Sequence, residues 1–146
     1  MARMARPEES EKWTPGFFRG AGMKEAPAID FLNGCPTSAR DNLLATFAAV
    51  LDGPPPKFPT GSRLWRPMKG EMRGIFEIRD RHGSTLYRLF CLLDHNAPRH
   101  GCKLPTLVML SGGQKPVGTE MDDDVYEETR TFRAQYLKSH PRALKP

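Results

Sequence analysis

The sequence predicts an α+β fold in which two helices come first, strands fill the middle and one helix closes the chain. Three stretches carry that expectation. SARDNLLATFAAVLDG places Leu43, Leu44, Phe47, Val50 and Leu51 at three- and four-residue intervals, the spacing of one buried helical stripe. MRGIFEIRD and TLYRLFCLL, rich in β-branched and aromatic residues, flank the turn-forming Arg81-His82-Gly83-Ser84 and read as a β-hairpin. DDDVYEETRTFRAQYLKSH has acids in its first turn and bases toward its end, the polarity that suits a helix dipole.

Taken in order, the first residues (MARMARPEESEK) are charged and poor in apolar side chains, so residues 1–12 are expected to be a flexible tail and residues 13–146 one domain. Trp13, Phe17 and Phe18 open the ordered part. APAIDFLNGCP sets Ala28, Ile29, Phe31 and Leu32 between two prolines, a short helix stopped by Asn33-Gly34. Thr37 or Ser38 caps the next helix, and Gly53 with three prolines ends it. The two helices form a hairpin, followed by an aperiodic, Pro-rich loop from Pro54 to Ser62. In the first strand of the β-hairpin, alternation puts Phe76 and Ile78 on one face and Arg73, Ile75, Glu77 and Arg79 on the other. Arg88 interrupts the apolar run LYRLFCLL, where an unpaired guanidinium is costly, so it needs a partner; Glu77 lies opposite or diagonal to it. A loop with His95, Asn96, Pro98, His100 and Gly101 leads to a third strand, LPTLVMLS, and then to Gly112-Gly113-Gln114-Lys115-Pro116. No internal repeat is visible.

The chain has 146 residues, 22 Lys+Arg against 17 Asp+Glu, and a net charge of +5. Residues 57–103 hold ten bases against four acids, while the segments on either side are close to balance. A concentrated basic segment offers a polyanion a dock, because Lys and Arg that meet phosphates release condensed counterions; a solvated surface is the plainer alternative. No apolar run approaches the roughly 18 residues that cross a bilayer, and the N-terminus lacks a signal peptide's apolar stretch. A cytoplasmic protein with no membrane partner is therefore expected. Cys35, Cys91 and Cys102 lack CxxC spacing, which argues against a disulfide framework. Cys91, His95, His100 and Cys102 fall close together, but Cys91 lies in an apolar strand and Cys102 beyond a loop, so no metal and no cofactor is expected.

The order of these elements, with Leu64-Trp65-Arg66-Pro67-Met68-Lys69-Gly70, Gly74-Ile75-Phe76-Glu77-Ile78-Arg79, Leu86-Tyr87-Arg88-Leu89-Phe90, Leu107-Val108-Met109-Leu110 and Lys115, resembles the RelE/ParE superfamily of toxins. The resemblance spans roughly residues 26–140, and the phage-derived, HigB-like branch is the most similar. It implies an N-terminal helical hairpin packed on a small twisted antiparallel sheet of three to four strands, with a C-terminal helix. It also implies the toxin component of a type II toxin-antitoxin system, held silent by a cognate antitoxin, expected to be of helix-turn-helix type. Many members are metal-independent RNases that cut mRNA on the ribosome and inhibit translation; others poison DNA gyrase and cleave nothing.

Cleavage by the RNA's own 2′-OH needs a base for its proton, a cation against the phosphorane and an acid for the departing 5′-oxygen. Arg79 and Arg88 match the family's strand arginines, which implies transition-state stabilisation. Glu71 or Glu77 is the candidate base, and Lys69, Arg73, Lys115 and Arg66 are expected to place substrate. The family's loop after the third strand often carries a Lys pair, whereas Ser111-Gly112-Gly113-Gln114-Lys115 leaves no strong acid there. Tyr126 or Tyr136 supplies one, or else belongs to the core. Structural roles compete throughout: a Glu77–Arg88 salt bridge fixing hairpin register, a polar turn at Lys69-Gly70-Glu71, and Trp65 as a core anchor rather than a base stacker. A ribosome-dependent mRNA endoribonuclease is the expected function; the alternative is a non-catalytic toxin or phage accessory protein that binds gyrase or another host partner.

Overall fold

The computed structural model describes residues 12–61 and 63–146; the expected tail, apart from Lys12, and Ser62 of the expected loop lie outside the described residues. Five strands, β1 (Thr14–Phe17), β2 (Trp65–Pro67), β3 (Ile75–His82), β4 (Thr85–Asp94) and β5 (Thr106–Pro116), form one sheet in the order β1-β5-β4-β3-β2. The central β3–β4 hairpin is the predicted one, but its turn closes over only Gly83-Ser84, with Gly83 at φ +61°, where a side chain would be strained. Two expectations are corrected. The sheet has five strands rather than three to four, and it is mixed, because β1 runs parallel to β5 from Thr14 opposite Thr106 to Phe17 opposite Met109. Both added strands are very short and contain a proline, Pro15 or Pro67, a residue that sheets tolerate at their edges.

Helices α1 (Pro27–Gly34), α2 (Thr37–Asp52) and α3 (Asp123–Lys138) cover the two faces of the sheet. The first two follow one another through Cys35-Pro36, but instead of forming the expected hairpin packed on itself each lies mainly on the sheet, α1 against β5 and α2 against β3. The cap differs: Pro36 occupies the N-cap position of α2 with no side-chain hydrogen bond, and Ser38 instead meets His82 Nδ1 at 2.9 Å. α3 is capped by Asp122, whose carboxylate accepts from the Asp124 N–H at 2.9 Å.

Leu32, Leu43, Phe47 and Val50 pack with Trp65, Ile78, Leu89, Cys91 and Met109 on the face covered by α1 and α2. On the opposite face Tyr136, Val125 and Phe132 pack with Ile75, Phe90, Leu92, Val108 and Leu110. Each fully buried Leu or Ile contributes about 1.5–3 kcal/mol, so these two layers supply most of the driving force for folding. β5 continues through the segment read as a strand exit, and its glycines serve one face each. A Cβ on Gly112 would overlap the Phe31 ring of α1, and one on Gly113 would lie 2.8 Å from Val125 Cγ1 of α3.

Beyond α3 the chain returns along β1, where the Lys145 N–H donates to the Phe17 carbonyl at 2.8 Å and Phe18 bridges to Leu144. This covers an edge that would otherwise be open to another strand. Beneath it, Arg142 Nε meets Asp94 Oδ2 at 2.9 Å, and the Tyr136 hydroxyl donates to the same oxygen at 2.7 Å. No helix among the described residues is long and apolar enough to cross a membrane.

Candidate functional site

α3 leaves part of its sheet face uncovered, and the strand register fills that part with charge. Pairing runs Arg66–Glu77–Phe90–Ser111 in one row, Arg79–Arg88–Gly113 in the next and Arg81–Leu86–Lys115 in the third. Paired residues share a face, so the even positions of β4 and the odd positions of β3 look toward α3. The helix covers Phe90 and Ser111, the latter bonded through its hydroxyl to Thr129 at 2.7 Å. Past the start of α3, a hollow of about 460 Å³ opens over the remaining rows, lined by Arg66, Arg79, Arg81, Leu86 and Lys115 among others.

Arg79 and Arg88 stand directly across from each other, an unfavourable like-charge pair unless something compensates. Glu77 lies diagonal to Arg88, one of the two arrangements expected from sequence. Its Oε2 is 3.3 Å from Arg88 Nη1, and its Oε1 is 3.9 Å from Arg79 Nε. The first contact lacks hydrogen-bond alignment, and the Nε atoms of both arginines are buried without a hydrogen-bond acceptor. One buried carboxylate thus serves two guanidinium groups incompletely. Burial, and then the Arg88 charge, lower the pKa of Arg79 from its ordinary value against the opposing pull of Glu77. Arg88 Nη1 also donates to the Tyr126 hydroxyl at 2.9 Å, leaving that hydroxyl's own proton free to donate elsewhere.

The remaining candidates are placed unevenly. Lys115 reaches the Thr119 carbonyl and lines the hollow; it also lines a neighbouring depression with Arg88, Asp123 and Tyr126. Lys69 and Glu71 lie across Tyr126 in a third depression, where the exposed Glu71 carboxylate is 3.5 Å from Arg130 Nη2. Arg73 is not brought to the site. It sits in the turn before Gly74 (φ +94°), and its carbonyl accepts from Arg133 Nη1 at 2.6 Å. Trp65 is fully buried on the other face, stacked on Phe76 with ring centroids 4.7 Å apart, so it offers no surface to a base. Of the two tyrosines, Tyr136 belongs to the buried Asp94–Arg142 network, whereas Tyr126 stands at the site.

The suspected metal ligands are dispersed. Cys91 is buried, which pushes its thiol pKa up; His95 lies edge-on to Trp13, and His100 meets His140. Among the described residues no three His, Cys, Asp or Glu side chains gather as a metal site would require. Arg81 was missed as a site residue because it was assigned to the turn, although it shares the parity of Glu77 and Arg79 and could have been found from that alone. Arg63, in the loop before β2, carried no periodic signal.

No family model matches the chain, and no curated protein matches it. Among solved structures, a chain of the toxin-antitoxin complex RelBE2 from Mycobacterium tuberculosis is similar to it at 21% identity, covering 71% of this chain and 99% of that one with a TM-score of 0.37.

Proposed function

We propose that this chain is the toxin of a type II toxin-antitoxin system, a HigB-like, phage-derived member of the RelE/ParE superfamily that cleaves mRNA on the ribosome in the cytoplasm and is silenced by a helix-turn-helix antitoxin. The observation that carries the reading is the convergence of Arg66, Arg79, Arg81 and Lys115 on one hollow beside the Arg88–Glu77–Tyr126 contact. Such an array can hold successive phosphates of a strand, and its half-buried cations act in a medium where charge stabilisation is stronger than in water.

In this reading Arg79 and Lys115 hold the scissile phosphate, and Arg88 faces the charge that grows on the phosphorane. Glu77, turned toward two arginines, positions them rather than moving a proton. Glu71 is the solvated carboxylate that takes the 2′-OH proton. Tyr126, whose oxygen already accepts from Arg88, gives its proton to the departing 5′-oxygen.

Expression in bacteria should arrest growth and create new 5′ ends inside translated messages. Arg79→Ala should abolish those ends while the protein stays folded by circular dichroism. Arrested cells with intact messages would remove the nuclease and leave a toxin that acts by binding.

A further inference from the structure

At the end of the sheet away from the hollow, two histidines from separate segments turn the same ring atom toward each other. His100 closes a short 3₁₀ turn (Ala97–His100) and His140 follows α3; their Nδ1 atoms lie 3.0 Å apart, and the rings meet edge-on with centroids at 5.1 Å. The backbone holds both segments in place. The Arg142 N–H donates to the His100 carbonyl at 2.9 Å and the Ser139 N–H to the Tyr136 carbonyl at 3.1 Å. Gly101 passes so close to Pro141 that a Cβ there would lie 2.8 Å from Pro141 Cβ.

Two neutral imidazoles at this separation share one proton, and the donor N–H and the acceptor lone pair face one small space. A metal ion in that space needs two lone pairs. It obtains the second when the donor ring carries its proton on Nε2 instead, with no change in the number of protons bound. The spacing selects the ion. At bond lengths of about 2.0–2.1 Å, two nitrogens lie about 3.3–3.4 Å apart on a tetrahedral ion and about 2.8–3.0 Å apart at the right angle of a tetragonal one. The pair fits the second. Arg99 and Arg142 bring positive charge toward His100, but Arg99 is exposed to screening solvent, and Arg142 is paired at 2.9 Å with Asp94, whose own charge favours a cation.

We infer that His100 and His140 form an open two-nitrogen site for a divalent ion of tetragonal preference, Cu²⁺ or Ni²⁺, and that the bound ion fastens the C-terminal segment to the loop before β5. Two side chains are fewer than a closed structural site or a catalytic one gathers, so water completes the coordination shell. The site joins one residue weighed as a ligand from sequence, His100, to one that stands 40 positions further along. It draws nothing from the proposed function and lies apart from the arginines that carry it.

Equilibrium dialysis and thermal melts with nickel chloride test this on the full chain, free of any affinity tag, in a non-coordinating buffer at about pH 7.5, where both rings are neutral. One Ni²⁺ should bind per chain and raise the melting temperature, EDTA should reverse the rise, and Cu²⁺ should displace Ni²⁺, following the general order of divalent affinities. His100→Asn and His140→Asn should each weaken Ni²⁺ binding by about a hundredfold and abolish the rise, whereas His82→Asn and His95→Asn should stay within about twofold of the natural chain. His140 is exposed, so its variant keeps the fold, which circular dichroism checks without metal. Binding that survives both His100→Asn and His140→Asn, or that falls equally with His82→Asn or His95→Asn, would overturn the inference. So would a bound ion that leaves the melting temperature unchanged. None of these readouts involves RNA, cleavage or growth, so the proposed function stands or falls separately.

Discussion

Arginine occurs on the α3 face of the sheet in two opposite chemical states. At one end Arg142 is closed. Nε and Nη2 engage the two oxygens of Asp94 at 2.9 and 3.5 Å, Nη1 donates to the Leu137 and Ser139 carbonyls at 2.8 and 3.3 Å, and the Tyr136 ring lies 5.2 Å beneath the guanidinium. At the other end Arg79 and Arg88 share one carboxylate and keep buried Nε atoms without acceptors. A buried charge with every guanidinium nitrogen partnered has little capacity left for a ligand, whereas a surplus of positive charge at the mouth of a hollow is tolerable only where an anion can reach it. The closed arginine ties the C-terminal segment to α3 and the sheet. The open pair keeps donors that an anion could satisfy, and under the proposed function that anion is a phosphate.

The largest expected effect tests the closed end. Asp94→Asn leaves the Arg142 charge buried without its counter-charge and should cost roughly 3–5 kcal/mol, read as a lower urea midpoint at unchanged slope. A cost near that of an exposed ion pair would show that Arg142 is less sealed than its contacts imply.

A smaller effect separates the two ends. Glu77→Gln should cost about 1–3 kcal/mol and lower the melting temperature, because two facing guanidinium groups lose their shared counter-charge; Arg88→Met should also lower it by leaving Glu77 only its 3.9 Å contact with Arg79. Sulfate should then distinguish the sites. It stabilises many proteins by exclusion, but bound between Arg79 and Arg88 it should raise the melting temperature of Glu77→Gln more than that of the natural chain or of Asp94→Asn. Equal rescue of both variants would erase the distinction between an open and a closed arginine.

Much of this contrast was readable in the chain. Period-two alternation put Glu77 and Arg79 on one face, and the expense of an unpaired Arg88 called for a partner, with Glu77 opposite or diagonal as the candidate; the structure has the diagonal one. The same alternation failed for Arg73, because Gly74 with its positive φ breaks the strand between them. β1 and β2 were invisible because three or four residues containing a proline carry no strand signal. Gly112-Gly113 read as a strand exit since the reason for two glycines is the approach of α1 and α3 from opposite sides, which only the assembled fold supplies. The choice between Tyr126 and Tyr136 lay beyond sequence for the same reason: both sit on α3, and only the docking of the helix decides which one meets Arg88 and which meets Asp94.

The smallest expected effect concerns pH at the closed end. His100 Nδ1 lies 3.0 Å from His140 Nδ1, so one ring must donate and the other accept, and two protonated rings would leave no acceptor. Partial burial, then the Arg142 guanidinium and the His140 ring, lower the His100 pKa; Asp94 opposes them, and Arg99 adds to the lowering. Because the folded value lies below the ordinary one of about 6.5, the unfolded chain binds more protons as the pH falls past that point. Stability should therefore be flat with respect to this group above about pH 6.5 and decline below it, until the lowered folded value is passed. Since carboxylates titrate nearby, the measurement is a difference. Melting temperatures of the natural chain and of His100→Asn, compared from about pH 8 to about pH 5, should diverge only in the acidic half, with the variant losing less. Parallel curves would mean that the imidazole contact does not help hold the C-terminal segment, and that the Asp94–Arg142–Tyr136 network does so alone.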